Sequence, residues 1–359
     1  MTEITTFQVS RDDLSKTRFV TEPLGELQPG EVLLKVDSFA FTANNITYAE
    51  TGVVLKYWQF FPAPDGWGVI PVWGFADVVE SRHDALAPGE RLFGYWPMAT
   101  HAVLTPQQVD SGSVVDGTPH RRELPMTYNL YRRYSTGGPA RDKQYEDIQS
   151  IFVPLFGTAF LIDDFLADKK FFGAKAVVIA SASGKTAFSL AHLLHQRGEI
   201  ETVGLTSPGN RAFVESLGCY DRVLMYDEIA KLPAARPAVL VDMAGSGKVR
   251  VAVHEHLRDN LKYSCAVGMS HRDPHPPGKG LPGPKPVFFF APEYRRQRME
   301  AMGREAFNAQ FGKTWSAFVP TAGGWLKVKR NSGRGAVEKI YLDTLNGKVS
   351  PDCGNIISL

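Results

Sequence analysis

Repeated strand and helix alternation through residues 174–290 predicts an α/β fold with a doubly wound parallel sheet. The first observation behind this is Ala176-Val177-Val178-Ile179-Ala180, an apolar run too short for a buried helix and rich in β-branched residues. Such a run reads as a central parallel strand. The second is the small-residue turn Ser181-Ala182-Ser183-Gly184, after which Ala187, Phe188, Leu190, Ala191, Leu193 and Leu194 recur at helical spacing up to Arg197. Strand, turn and helix together open a nucleotide-binding βαβ unit. The third is the series of later strands at 202–206, 222–226, 238–243, 263–269 and 287–290, joined by short links.

Upstream of this sheet the chain has a different texture. Pro29-Gly30 marks a turn before a half-buried strand at 31–36. A polar cluster follows, Thr42, Asn44, Asn45, Thr47 and Tyr48, which reads either as a solvated loop or as groups that orient a carbonyl in a pocket. Residues 69–80 read as an extended segment with Gly74 at a bend, 86–90 as a turn, and 91–94 and 101–104 as strands. Residues 105–150 carry scattered Gly, Pro and charge around Tyr128, Asn129, Tyr131, Arg132, Arg133 and Tyr134. A loop of this length is functional or disordered. Its aromatics suggest a lid or pocket wall, with Tyr128, Asn129 and Tyr131 as substrate contacts, or else a cluster packed on the domain edge. Residues 154–167 read as a helix between two domains. The Pro- and Gly-rich stretch 271–286 is an irregular loop, and His271, His275 and Asp273 make too thin a ligand set for a metal. Helical periodicity runs through Met299, Met302, Phe307 and Phe311; 336–359 reads as a helix, a Gly347 stop and a final strand.

A chain of 359 residues is long enough for two domains. Its formal charge of +2, from 40 basic and 38 acidic residues, makes no electrostatic case for nucleic acid or a membrane surface. A small molecule is the expected partner. The polar N-terminus, and the absence of an unbroken apolar stretch of bilayer length, lead to the expectation of a cytoplasmic protein. Cys219, Cys265 and Cys353 have no paired spacing and read as buried thiols.

Two phosphate-binding readings compete at the turn. Gly184-Lys185-Thr186 looks like the end of a P-loop, but Ile179 stands where that motif needs its opening glycine. The dinucleotide pattern G-x-G-x-x-G instead finds Ser181, Ser183 and Thr186 at its glycine positions. Amides at the helix start would still face a pyrophosphate. The strand at 202–206 ends in Ser207, Asn210 and Arg211 with no acidic residue, a set of donors that suits the 2′-phosphate of NADP; alternatively Arg211 only decorates the helix at 212–217. Tyr226, Gly268 and Met269 stand at further strand ends, where a sheet of this kind borders its cofactor.

In order along the chain, Leu27-Gln28-Pro29-Gly30-Glu31-Val32-Leu33, Leu86-Ala87-Pro88-Gly89-Glu90-Arg91-Leu92-Phe93-Gly94, the stretch 154–159, the turn at 181–186 and Leu345-Asn346-Gly347-Lys348-Val349 resemble the medium-chain dehydrogenase/reductase superfamily. The similarity is to its zinc-free quinone oxidoreductase-like and enoyl reductase-like branches, in an atypical subgroup. It implies a GroES-like β-rich catalytic domain from both chain ends, 1–153 and 312–359 with an insertion at 105–150, and a Rossmann domain over 154–311. Zinc-free members often space their turn glycines three apart, which places Ser181, Gly184 and Ala187. No cysteine precedes Cys219, against the cysteine lobe of zinc-dependent members. Asn45 and Tyr48 look like the polar pair that lines the nicotinamide pocket, and Thr158 joins Lys185 and Thr186 on the cofactor side. The implied activity is zinc-independent hydride transfer from NADPH to an activated carbonyl or C=C bond of quinone, enal, enone or enoyl-thioester type. Tyr48 with Asn44 or Asn45 would act as donors, and a homodimer is compatible. An NADP-binding protein without redox turnover, and an NADP-assisted enzyme with no net redox change, are the alternatives.

Overall fold

The computed structural model describes residues 2–134, 142–243, 245–268 and 280–359. Met269 and the loop residues His271, Asp273 and His275 lie outside the described residues. The chain divides into two units, Met1–Ile151 with Leu326–Leu359, and Phe152–Trp325.

The first unit begins with strands β1 (Glu3–Ser10), β2 (Thr17–Pro23) and β3 (Val32–Phe41), then helix α1 (Ala43–Glu50). Next come β4 (Trp67–Gly68), β5 (Pro71–Ser81), β6 (Arg91–Pro97), β7 (His101–Leu104), β8 (Pro106–Val109), β9 (Ser113–Asp116) and β10 (Leu130–Tyr134). Helix α2 (Lys143–Asp168) carries the chain across the unit boundary. The second unit holds β11 (Ala176–Ala180), α3 (Lys185–Arg197), β12 (Glu201–Thr206), α4 (Arg211–Ser216), β13 (Arg222–Met225) and β14 (Ala238–Asp242). It continues with α5 (Gly247–Leu257), β15 (Leu261–Ala266), β16 (Val287–Phe288), α6 (Ala291–Met302) and α7 (Arg304–Trp325). The chain then returns to the first unit with β17 (Lys327–Ser332), α8 (Arg334–Leu345) and β18 (Cys353–Ser358).

The second unit is the doubly wound sheet. Its six strands run β13-β12-β11-β14-β15-β16, and every neighbouring pair is parallel. All five residues of β11 are buried, as a strand covered on both faces requires. The topology switches between β11 and β14, where ligands of such sheets bind beyond the carboxyl ends of the strands. Helix α7 runs on to Trp325, so residues 312–325, assigned by the sequence to the β-rich domain, lie in the second unit.

The first unit is β-rich. A nine-stranded sheet orders β17-β18-β3-β5-β6-β10-β9-β8, with β7 also on β3, and β1 forms a smaller sheet with β2 and β4. The stretch 105–150 is not the expected loop. It adds the hairpin β8–β9 and strand β10 to the open edge at β6, then gives the first turns of α2. Tyr131 is fully buried in the core of this sheet, with its hydroxyl donating to the Tyr95 carbonyl at 2.8 Å, so it packs the domain instead of lining a pocket. Gly94 makes room for it, since a Cβ there would sit 2.1 Å from the Tyr131 ring. Asn129 is buried as well, donating from its side-chain amide to the Arg121 carbonyl at 2.8 Å.

The expected helix at 154–167 starts much earlier, at Lys143, and takes Pro154 inside. It is long and apolar enough to cross a membrane by length and composition, which corrects the expectation of no such stretch; most of that window is buried within the fold. All three cysteines are free and buried.

Candidate functional site

The turn after β11 carries the expected cofactor-binding residues. Ser181 takes a left-handed conformation at φ 58°, the conformation for which a glycine is favoured, and this is the first glycine position of the fingerprint. Gly184 caps α3 in extended backbone, φ −72° and ψ 146°, and leaves the helix start exposed. Lys185 and Thr186 are half-buried in the first turn, whose backbone N–H groups have no partner within the helix, while Ala187 is buried against the sheet.

Neighbouring strand ends are tied to this turn. The Asn210 side-chain amide donates to the Ser183 hydroxyl at 3.1 Å, and the hydroxyls of Ser181 and Tyr226 lie 3.5 Å apart. The Tyr220 hydroxyl donates to the Ala182 carbonyl at 2.8 Å. Ser207 follows β12, and Gly268 follows β15 with its N–H on the Asp242 carbonyl at 3.2 Å. Arg211 is half-exposed but not idle, donating to Glu215 at 2.8 Å and reaching Glu228 at 3.5 Å. Thr158 is the outlier, its hydroxyl donating to the Pro154 carbonyl one turn back along α2. The donors that converge here, two serine hydroxyls, the Asn210 amide and the amides at the start of α3, suit a phosphorylated dinucleotide.

A left-handed non-glycine residue carries about 1 kcal/mol of strain. Relief of that strain less about 0.4–1 kcal/mol for the greater freedom of glycine in the unfolded chain leaves Ser181→Gly an expected gain of up to about 0.5 kcal/mol. Ser183→Gly, at a residue not in that conformation, should give no gain. Denaturant midpoints of the two variants check the pair.

In the first unit, the polar cluster at 42–48 forms a helix and not a loop. The Asn45 side-chain oxygen accepts from the Thr42 N–H at 2.8 Å, which caps α1, and its amide donates to the Pro71 carbonyl at 3.0 Å. Asn45 is thereby committed to structure. Asn44 is half-buried on α1, one turn before Tyr48.

Tyr48 is 5% exposed, a member of a packed, largely aromatic chamber formed with Tyr57, Phe60, Tyr95, Leu124 and Tyr128. The Trp73 indole N–H donates to its hydroxyl at 3.3 Å, and the Tyr57 and Tyr128 hydroxyls share a hydrogen bond at 3.0 Å. Burial, then the nearby Tyr57, pushes the Tyr48 phenol well above the usual tyrosine range, so it stays protonated at any physiological pH. Tyr128 thus lies in the same chamber as Tyr48, whereas Asn129 and Tyr131 do not. Sequence reasoning missed Trp73, Tyr57 and Tyr95. Trp73 and Tyr95 are directly paired between β5 and β6, and the alternation of aromatics along these strands is the signal that places both on one face.

The fold has been seen before. The chain is similar to CurA from Vibrio vulnificus, solved with NADPH (TM-score 0.63, 13% identity, 99% of this chain and 98% of that one). It is also similar to an enoyl thioester reductase from Candida tropicalis (0.58, 11%, all of both chains) and a quinone oxidoreductase from Coxiella burnetii (0.56, 13%, all of both chains). These likenesses give the chain the two-domain fold of the medium-chain dehydrogenase/reductases. No curated protein matches by sequence. A family model described as "Protein of unknown function (DUF2855)" matches residues 39–350, most of the chain. The chain therefore belongs to the DUF2855 family and carries the medium-chain dehydrogenase/reductase fold.

Proposed function

We propose that this protein is a zinc-independent, NADPH-dependent oxidoreductase that reduces an activated carbonyl or C=C bond of a small molecule. The observation that carries the reading is Tyr48, a neutral phenol held by Trp73 in an aromatic chamber with Asn44 one turn away. NADPH, when bound, supplies the hydride. Negative charge that develops on the substrate oxygen then needs a fixed donor, and the Tyr48 hydroxyl is that donor. With its proton held so firmly, Tyr48 acts by hydrogen bonding in preference to full proton transfer, and the proton that completes the reduction comes from water. Ser181, Ser183, Gly184, Lys185, Thr186 and Asn210 hold the cofactor phosphates, and Ser207 and Arg211 favour NADP over NAD. Arg211 can serve the 2′-phosphate by exchanging its Glu215 and Glu228 partners for it. The matches to CurA, solved with NADPH, and to an enoyl thioester reductase support the reading at the level of the fold.

Titration of the purified protein with NADPH and NADH tests the cofactor assignment. NADPH is expected to raise the melting temperature and its fluorescence to change on binding, with NADH weaker by about tenfold or more, and Arg211→Ala to narrow that gap. No response to either dinucleotide would remove the reading. The close burial of Tyr48 favours a second possibility, an NADP-binding module without turnover. Binding without NADPH consumption across quinones, enals and enoyl thioesters would support that alternative.

A further inference from the structure

Five hydrogen-bond donors meet in the aromatic chamber: the Trp73 indole and the hydroxyls of Tyr48, Tyr57, Tyr95 and Tyr128. Two are accounted for. Trp73 donates to Tyr48, and one of the pair Tyr57 and Tyr128 donates to the other. Tyr95 differs, because it has no solvent exposure and its hydroxyl has no hydrogen-bond partner among the described residues. A buried hydroxyl without a partner is costly to keep and needs a reason. Packing is not that reason. The ring sits 4.7 Å from Tyr128, 5.0 Å from Trp73 and 5.2 Å from Phe60, contacts that phenylalanine would keep.

Position supplies the reason. Tyr95 and Trp73 face each other in register on β6 and β5, so both project from the same face of the sheet, and Trp73 already reaches the Tyr48 oxygen. The Tyr95 ring also packs edge-on against Tyr48, with ring centroids 5.7 Å apart, which keeps its hydroxyl in the same cluster as that oxygen. A phenol oxygen can accept two hydrogen bonds while donating one. We propose that Tyr95 is a positioning residue for Tyr48, its hydroxyl closing onto the Tyr48 oxygen as Tyr48 donates to the carbonyl oxygen of a neutral ligand. With Trp73 and Tyr95 both donating to it, Tyr48 has its own proton turned outward and its O–H further polarised. Hydrogen bonds of this kind are often long in the ligand-free state and tighten only with ligand. The side chains that form the chamber are aromatic or aliphatic, which suits the uncharged end of a ligand. The inference rests on the reading of Tyr48 as the donor to ligand.

The test uses the whole protein without NADPH and cinnamaldehyde as the probe, with the C=O stretch of the bound aldehyde read by infrared difference spectroscopy. In the wild type the band should move to lower frequency than in solution. That shift should shrink by about a tenth to a third in Tyr95→Phe and in Trp73→Phe, and vanish in Tyr48→Phe. Ligand-free Tyr95→Phe should melt no lower than wild type, and in turnover its kcat should fall about tenfold with KM unchanged. An equal band shift in wild type and Tyr95→Phe would overturn the proposal, as would a wild type that gives no shift. A Tyr95→Phe chain that melts lower or fails to fold would also overturn it, since the hydroxyl would then be structural. A band shift that survives while NADPH is never oxidised would remove the hydride-transfer reading and leave the role of Tyr95 standing.

Discussion

Replacing Arg91 by methionine is expected to destabilise the β-rich unit by about 3–5 kcal/mol, the range for removing one partner of a buried ion cluster. Arg91 is 1% exposed on β6 and donates to three carboxylates at once: to Asp37 on β3 and Asp77 on β5 at 2.6 Å, and to both oxygens of Glu146 on α2 at 2.9 Å. Its guanidinium also lies over the Phe75 ring, 4.8 Å from the centroid. Methionine would keep some of that packing but leave the carboxylates of Asp37, Asp77 and Glu146 without its charge, with Lys143 still beside Asp37 and Glu146. The loss should therefore exceed that of a cavity alone. Removing the opposing charge as well, in Arg91→Met with Glu146→Gln, should recover part of it.

The pH dependence has a definite sign. Burial alone would raise the Asp37 carboxyl, but the hydrogen bond and charge of Arg91, with help from Lys143, hold it below the usual aspartate range. A lowered pKa contributes stability above the unfolded value of about 3.9 and loses it as pH falls through the folded one. The gap between wild type and Arg91→Met should therefore be widest near neutrality and narrow below pH ~4. Urea melts followed by tryptophan fluorescence at pH 7 and at about pH 3 would show it, and a gap independent of pH would mean that packing, not charge, carries the effect.

Tyr48→Phe is expected to lower turnover by about 10²–10³, the cost of removing one fixed donor from a developing oxyanion. The substitution keeps the ring that packs 4.5 Å from Tyr57 and 5.7 Å from Tyr95, so the chamber should hold its shape. NADPH affinity should not change, which separates a lost donor from a damaged fold. Because burial holds the phenol protonated above the ordinary tyrosine range, the wild-type rate should show no loss attributable to Tyr48 as pH rises to about 10. Full turnover in the variant would take the donor role from Tyr48.

The two halves of the chain were unequally legible. The parallel sheet could be read strand by strand because strands buried on both faces, such as β11 and β14, carry their signal in contiguous apolar runs. The turn at Ser181 and the donors at Ser207, Asn210 and Arg211 follow from that reading, since sheet topology alone puts strand ends together. The β-rich unit gave less away. Strand β8 is only partly buried and its links are rich in Gly and Pro, so the hairpin at 106–116 read as loop. Pro154 looked like a helix start, although a helix can hold a proline inside where tertiary packing supports it.

The sequence by itself therefore determined the fold class, the succession of parallel strands along the chain and the small-residue turn after β11, all of which depend on residues close in the chain. The tertiary structure decided which polar residues are available for chemistry. Asn45 is spent on Thr42 and on the Pro71 carbonyl 26 residues away, and Tyr131 is spent on the core. Tyr48 acquires Trp73 and Tyr95 only because β5 and β6 pair in one register. Hydrogen-bond satisfaction is a property of atoms brought together by packing, and local sequence patterns do not carry it.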